Sequence, residues 1–239
     1  MVSKTDATVT RSLAGAVDPA LVAVTDPRSP AAEAYRALRT NIQFASPDKP
    51  LRLLLATSTS PDDGKSTTLA NLAVALAETG ARTLLVDADL RRPVLHTLFG
   101  LPNDQGLTSL MLGNPAPIEA GQLPVQRTVV ENLLVLTSGP LPPNPAELLA
   151  SRRMAEVIGA LRAQADFVLF DTPPIVAVAD AAALAAQVDG VLLVVRAGKT
   201  KRDLAIKAKR LLEQVSAPLI GVVLNDATLE RGAYGYYGK

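Results

Sequence analysis

Ala56-Thr-Ser-Thr-Ser-Pro-Asp-Asp-Gly64-Lys65-Ser66-Thr67 closes the apolar run Leu51 to Ala56, and an apolar helical pattern starts immediately after it. Strand, Gly-Lys-Ser loop and helix in that order make a phosphate-binding loop, because the loop turns backbone N–H groups and the positive end of the helix towards an anion. Ser60, Asp62, Asp63, Gly64, Lys65, Ser66 and Thr67 are therefore the candidate nucleotide-binding residues. Lys65 would reach the β- and γ-phosphates, and the Ser66 hydroxyl would ligate Mg²⁺. One departure stands out: Thr59 occupies the position where such a loop usually has its first glycine.

Outward from this loop, strand-like and helical runs alternate. The predicted strands are Arg52–Ala56, Thr83–Asp87, Leu133–Thr137, Phe167–Asp171, Val191–Arg196 and Leu219–Asn225. Helical patterns fall at Ser66–Glu78, Pro145–Gln164, Asp180–Gln187 and Lys201–Val215. Continuously apolar strands separated by helices predict an α/β fold, a parallel sheet with helices on both faces. A further helix starts after Ser29-Pro30, with Ser29 as cap, and buries Tyr35, Leu38 and Ile42. Residues 1–25 read as an extended or disordered arm, 26–230 as the catalytic domain and 231–239 as a flexible tail. The segment Pro140-Leu-Pro-Pro-Asn-Pro145 is too rich in proline for anything but a loop.

Composition narrows the function. The chain has 239 residues, 48% of them hydrophobic, which suits one domain with a sizeable core. Twenty-four Lys and Arg against 23 Asp and Glu leave a net charge of +1, which argues against a dedicated nucleic-acid binder. With no cysteine and one histidine, His96, there are no disulfides, thiolate metal sites or cysteine nucleophiles. No apolar run reaches the length of a membrane-spanning helix, and the N-terminus lacks the apolar region of a signal peptide. The expectation is a cytoplasmic protein held at the membrane, if at all, by a partner. The basic residues Lys199, Lys201, Arg202, Lys207, Lys209 and Arg210 read as the solvated face of a helix whose Leu204, Leu211 and Leu212 are buried, with a lipid or adaptor contact as the alternative.

Two further strands end in carboxylates: Leu84-Leu-Val-Asp87-Ala-Asp89-Leu-Arg91-Arg92-Pro93 and Phe167-Val-Leu-Phe-Asp171-Thr-Pro-Pro174. In a parallel sheet all carboxyl ends lie on one edge, so Asp87, Asp89 and Asp171 converge beside Lys65 as hard oxygen donors for Mg²⁺. These segments resemble the Walker A′ and Walker B motifs of the bacterial tyrosine kinases, relatives of the MinD/ParA ATPases. The resemblance runs from about Asp26 to the C-terminus. It takes in Glu33-Ala-Tyr-Arg36-Ala-Leu-Arg39, similar to the family's E-x-x-R-x-x-R oligomerisation motif, and Pro143-Asn-Pro-Ala-Glu147. It also takes in three tyrosines, Tyr234, Tyr236 and Tyr237, set between glycines.

The resemblance implies an ATP- and Mg²⁺-dependent protein-tyrosine autokinase that phosphorylates those tail tyrosines during capsule or exopolysaccharide synthesis. It implies that Asp87 orients the acceptor hydroxyl and takes its proton, and that Asp89 and Asp171 hold Mg²⁺ mostly through water. The implied partners are a membrane adaptor of the polysaccharide chain-length-regulator type, a homo-oligomeric ring and a cognate tyrosine phosphatase. Asn225 resembles the family's adenine-contacting asparagine, with a plain turn-forming asparagine as the alternative. The competing function is a MinD/ParA-like ATPase switch or nucleotide-gated scaffold. The lysine that such switches carry four or five residues before Lys65 is absent, Ser60 and Pro61 standing there instead.

Overall fold

The computed structural model describes residues 17–228, except 47–48, 114–117 and 119–120. Seven strands form one sheet in the order β3-β4-β2-β5-β1-β6-β7. They are β1 (Leu53–Ser58), β2 (Thr83–Asp87), β3 (Gln126–Arg127), β4 (Leu133–Leu136), β5 (Phe167–Asp171), β6 (Gly190–Arg196) and β7 (Leu219–Asn225). All neighbours run parallel except β3, an antiparallel edge strand that two residues were too short to announce by periodicity.

Alternation along the strands divides the apolar core between the two faces. Leu53, Leu55, Leu84 and Val86 point to one side, beneath α5 (Leu107–Leu112), α6 (Pro145–Leu149), α7 (Arg152–Gln164), α8 (Asp180–Ala185) and α9 (Arg202–Gln214). Leu54, Ala56 and Leu85 point to the other, where α1 (Val22–Thr25), α2 (Pro30–Ala45), α3 (Lys65–Ala77) and α4 (Leu95–Leu98) lie. Along β1, β2, β5 and most of β6 both faces are dry, which is why these strands read as unbroken apolar runs, while Val222 and Leu224 of the edge strand β7 stay exposed. In α9, Leu212 is buried, Leu204 and Leu211 are half-buried, and the basic residues face outwards.

Two expectations need correcting. The helical stretch 145–164 is two helices: Ser151 is extended, and its side chain accepts the Met154 N–H, so the chain restarts as a newly capped helix. The segment expected to be an arm is docked from Val17 onwards. Leu21 is fully buried, and Asn71 of α3 accepts from the Ala23 N–H at 2.9 Å while donating to the carbonyls of Ala20 and Thr67 at 3.0 and 2.9 Å. This strap also meets α4, where the Asp18 N–H donates to the Leu98 carbonyl at 3.0 Å. Residues 1–16 and the tail tyrosines Tyr234, Tyr236 and Tyr237 lie outside the described residues.

Asn71→Ala leaves buried backbone groups of the strap unpaired. It is expected to destabilise the fold by about 1–3 kcal/mol, read as a midpoint lowered by roughly 2–4 °C per kcal/mol. An unchanged melting curve would mean that the strap is not held this way.

Candidate active site

Gly64 caps α3 with φ 85°, and a Cβ there would collide with the Asn225 amide, so only glycine fits between the loop and β7. The missing first glycine is explained by Asp63. Its Oδ2 accepts from the Thr59 hydroxyl at 2.6 Å and the Ser60 N–H at 2.9 Å, and its Oδ1 accepts from Thr200 at 3.2 Å. A threonine at this position contributes a hydrogen bond that glycine could not, and the loop is fixed by side chains rather than by a flexible backbone. The Asn225 side chain donates to the Asp63 carbonyl at 3.1 Å, bracing the loop from the sheet edge.

Behind the loop, Asp87 and Asp171 sit directly opposite one another on neighbouring strands. Both are fully buried. The Asp87 Oδ2 accepts the N–H groups of Val94 and Leu95 at 3.1 and 3.0 Å, while its Oδ1 has no partner; the same holds for the Asp171 Oδ2. Lys65 bridges the group, with its Nζ 3.0 Å from Asp89, 3.4 Å from Asp171 and 3.0 Å from the Ser66 hydroxyl.

The electrostatics follow from that geometry. Burial, then the charge of Asp171, pushes the Asp87 carboxyl well above the usual range, against the pull of the Leu95 N–H and Lys65. Burial likewise raises Asp171, with Lys65 opposing. Burial works against the charge on Lys65, but Asp171 and Asp89 outweigh it and hold the ammonium above its ordinary value.

A cavity of about 730 Å³ opens in front of these groups. It is lined by Gly64–Thr67 and Asp62 on the loop side, and by Asp89, Arg91, Arg92, Val94, Pro174, Ala177 and Val178 across from it. Asp87 and Asp171 lie deeper than this lining, behind Lys65. Asn225 and His96 do not reach it.

The residues fit a magnesium ion. Two buried carboxylate oxygens lack any partner, a hydroxyl stands beside them, and every donor is a hard oxygen. Among the described residues no three carboxylates converge closely enough to hold an ion by themselves. That suits an ion completed by water and substrate phosphates.

Residues 54–233 match the model of the CobQ/CobB/MinD/ParA nucleotide binding domain. The chain is 48% identical over 219 residues to the tyrosine-protein kinase YwqD of Bacillus subtilis (strain 168), covering 91% of each. The chain belongs to the bacterial tyrosine-protein kinases. Solved structures agree. The chimerical protein CapA2B2 superposes with a TM-score of 0.82 at 42% identity, covering 89% of this chain and 92% of the other. The kinase domain of the Escherichia coli tyrosine kinase ETK superposes with a TM-score of 0.81 at 34% identity, covering 92% of this chain and 84% of the other.

The structure brings Lys65, Asp89 and Asp171 together, with Asp87 opposite Asp171; the sequence reading expects these four to converge. It missed Asp180, which begins α8, where an acidic residue looks like an ordinary response to the helix dipole. The motif residues of α2 also sit differently from a free surface face. Arg36 donates to Glu33, Glu78 and the Pro27 carbonyl, and Arg39 donates to the Ala75 carbonyl at 2.8 Å. Both arginines lie across α3 and its C-terminal end, and Glu33 alone remains exposed.

Proposed function

We propose that this tyrosine kinase is a Mg·ATP-dependent autokinase acting on Tyr234, Tyr236 and Tyr237 of its own C-terminal tail. The observation that carries the reading is where the chain leaves the sheet. β7 ends at Asn225, whose side chain hydrogen-bonds the phosphate loop, so the chain leaves the sheet beside that loop. From Asp226 to Tyr236 is ten residues, at most about 35 Å when extended. That reach brings a phenol to its own cavity or to a neighbour's.

In this reading Ser66, Asp87, Asp89 and Asp171 hold magnesium, which when bound neutralises charge on the β- and γ-phosphates. Lys65 leaves its carboxylate partners for the phosphates, and Asp87 orients the acceptor hydroxyl and takes its proton. Ordinary values near 10 for a phenol and 4 for a carboxylate make prior transfer uphill by about 8 kcal/mol. The raised Asp87 carboxyl narrows that gap, and the proton leaves late, as the forming bond acidifies the phenol. Asn225 donates to the Asp63 carbonyl, and in this reading its side-chain oxygen would be left for the base.

The wider setting is a homo-oligomeric ring through Glu33, Arg36 and Arg39, in which tails are phosphorylated between subunits. An adaptor of the polysaccharide chain-length-regulator type would recruit it to the inner face of the membrane, where it would regulate capsule or exopolysaccharide synthesis. A cognate phosphatase would reset it. Among the described residues no helix is long and apolar enough to cross a membrane.

Replacing the three tail tyrosines by phenylalanine is expected to remove most of the phosphotyrosine, read by antibody and mass spectrometry. Undiminished label would place the main acceptor elsewhere. Mixing Lys65→Met chains with chains lacking the tail tyrosines should label the Lys65→Met tails; unlabelled tails would rule out transfer between subunits.

A further inference from the structure

Asp180 is wholly buried, and both its oxygens accept from one guanidinium: Arg91 Nε to Oδ2 at 2.8 Å and Nη2 to Oδ1 at 3.0 Å. Two parallel hydrogen bonds of this kind fix the plane and direction of an arginine, which a lysine cannot reproduce. Arg91 itself is 43% exposed and lines the nucleotide cavity. The asymmetry is unusual for a structural ion pair. In Arg82–Asp166, an ordinary surface pair, both partners are largely in water.

The pair also joins two particular loops. Arg91 follows β2 and its Asp87 and Asp89; Asp180 follows β5 and its Asp171. Arg91 lines the cavity together with Ala177 and Val178, and Asp180 lies buried behind it. In the kinase reading a triphosphate would take the side of the phosphate loop, which leaves the Arg91 side to an acceptor tyrosine. Of the five guanidinium N–H groups, Asp180 takes two, and the others have no partner among the described residues.

We propose that Asp180 is a positioning residue that holds the Arg91 guanidinium on the acceptor side of the cavity, where it bears on the phosphoryl oxygens as the group passes to the tyrosine. The inference rests on the kinase reading of the site. Bonds made to the phosphoryl group in transit stabilise the transition state more than the bound nucleotide, so their loss appears in turnover rather than in affinity.

The test uses full-length chains in host cells lacking the chromosomal copy, with tail phosphotyrosine followed over time and purified protein titrated with a fluorescent ADP analogue and Mg²⁺. Asp180→Asn and Arg91→Lys are expected to cut the rate of phosphorylation roughly 10–100-fold, with ADP affinity within about twofold of wild type. Arg91→Ala combined with Asp180→Asn should be no slower than Arg91→Ala alone, since Asp180 acts only through Arg91. Added guanidinium should partly restore Arg91→Ala.

A wild-type rate in either single variant overturns the proposal. So does a loss that tracks ADP affinity and melting temperature in proportion, which is the signature of a purely structural pair. Should Asp180→Asn fail to fold, Arg91→Lys decides alone, because it changes an exposed group and keeps the charge. A wild-type chain that makes no phosphotyrosine would instead sink the kinase reading itself.

Discussion

Lys65→Met is expected to abolish tail phosphorylation, a loss of at least about 10²–10³-fold, as for removal of a group that stabilises developing charge in a closed site. The stronger prediction concerns the nucleotide-free protein. Lys65 is the counter-ion that the structure places between Asp89 and Asp171, and removing it leaves buried carboxylates unneutralised. The Lys65 pKa is raised on folding, so its contribution is complete below the ordinary lysine value and is lost only as pH climbs through the folded one. At neutral pH the wild type therefore has all of it and the variant none. Lysine-to-methionine should lower the melting midpoint at pH 8, and the deficit should shrink towards pH 5 as the carboxylates take up protons. An equal deficit at both pH values would contradict the electrostatic origin.

Asp87→Asn should do the opposite to stability while also removing activity. Phosphotransfer falls by about 10²–10⁴-fold, the range for loss of a positioned proton acceptor. The fold, however, is relieved. The Asp87 pKa is raised by burial and by Asp171, so its ionised form opposes folding at any pH above the folded value. Asparagine keeps an oxygen for the Val94 and Leu95 N–H groups and turns an amide towards the partnerless side. A gain of about 1 kcal/mol in a chain of this size corresponds to a rise of roughly 2–4 °C. The rise is largest at neutral pH and fades in acid, where aspartate itself is protonated. A variant that melts below wild type at pH 7, or that still labels its tail at the wild-type rate, refutes the assignment.

Much of this site could be read from sequence because its determinants are local. The run into Gly64-Lys65-Ser66 and the apolar strands ending at Asp87 and Asp171 each specify strand, turn and ligand within a dozen residues. A parallel sheet then brings the three ends together without further information. What stayed hidden depends on partners far apart in the chain. Nothing near Asp63 shows that Thr200 and Asn225, 137 and 162 positions away, will brace it. Arg91 and Asp180 are 89 positions apart, and each taken alone is an unremarkable charge. The strap residues Leu21 and Ala23 lack periodicity because a four-residue helix cannot show any. The contacts of Arg36 and Arg39 were hidden by distance too: their long side chains reach the Pro27 and Ala75 carbonyls and the Glu78 carboxylate, 9 to 42 positions away.

The in-register placement of Asp87 and Asp171 has a consequence for how the fold tolerates change. Adjacent strands in a sheet stand about 4.8 Å apart, a spacing set by the backbone ladder and not by the loops. The sheet thus acts as a ruler, and the gap between the two acids is a lattice constant of the fold. Insertions and deletions in the connections can remodel the mouth of the cavity freely, while the distance across which the charge is managed stays the same.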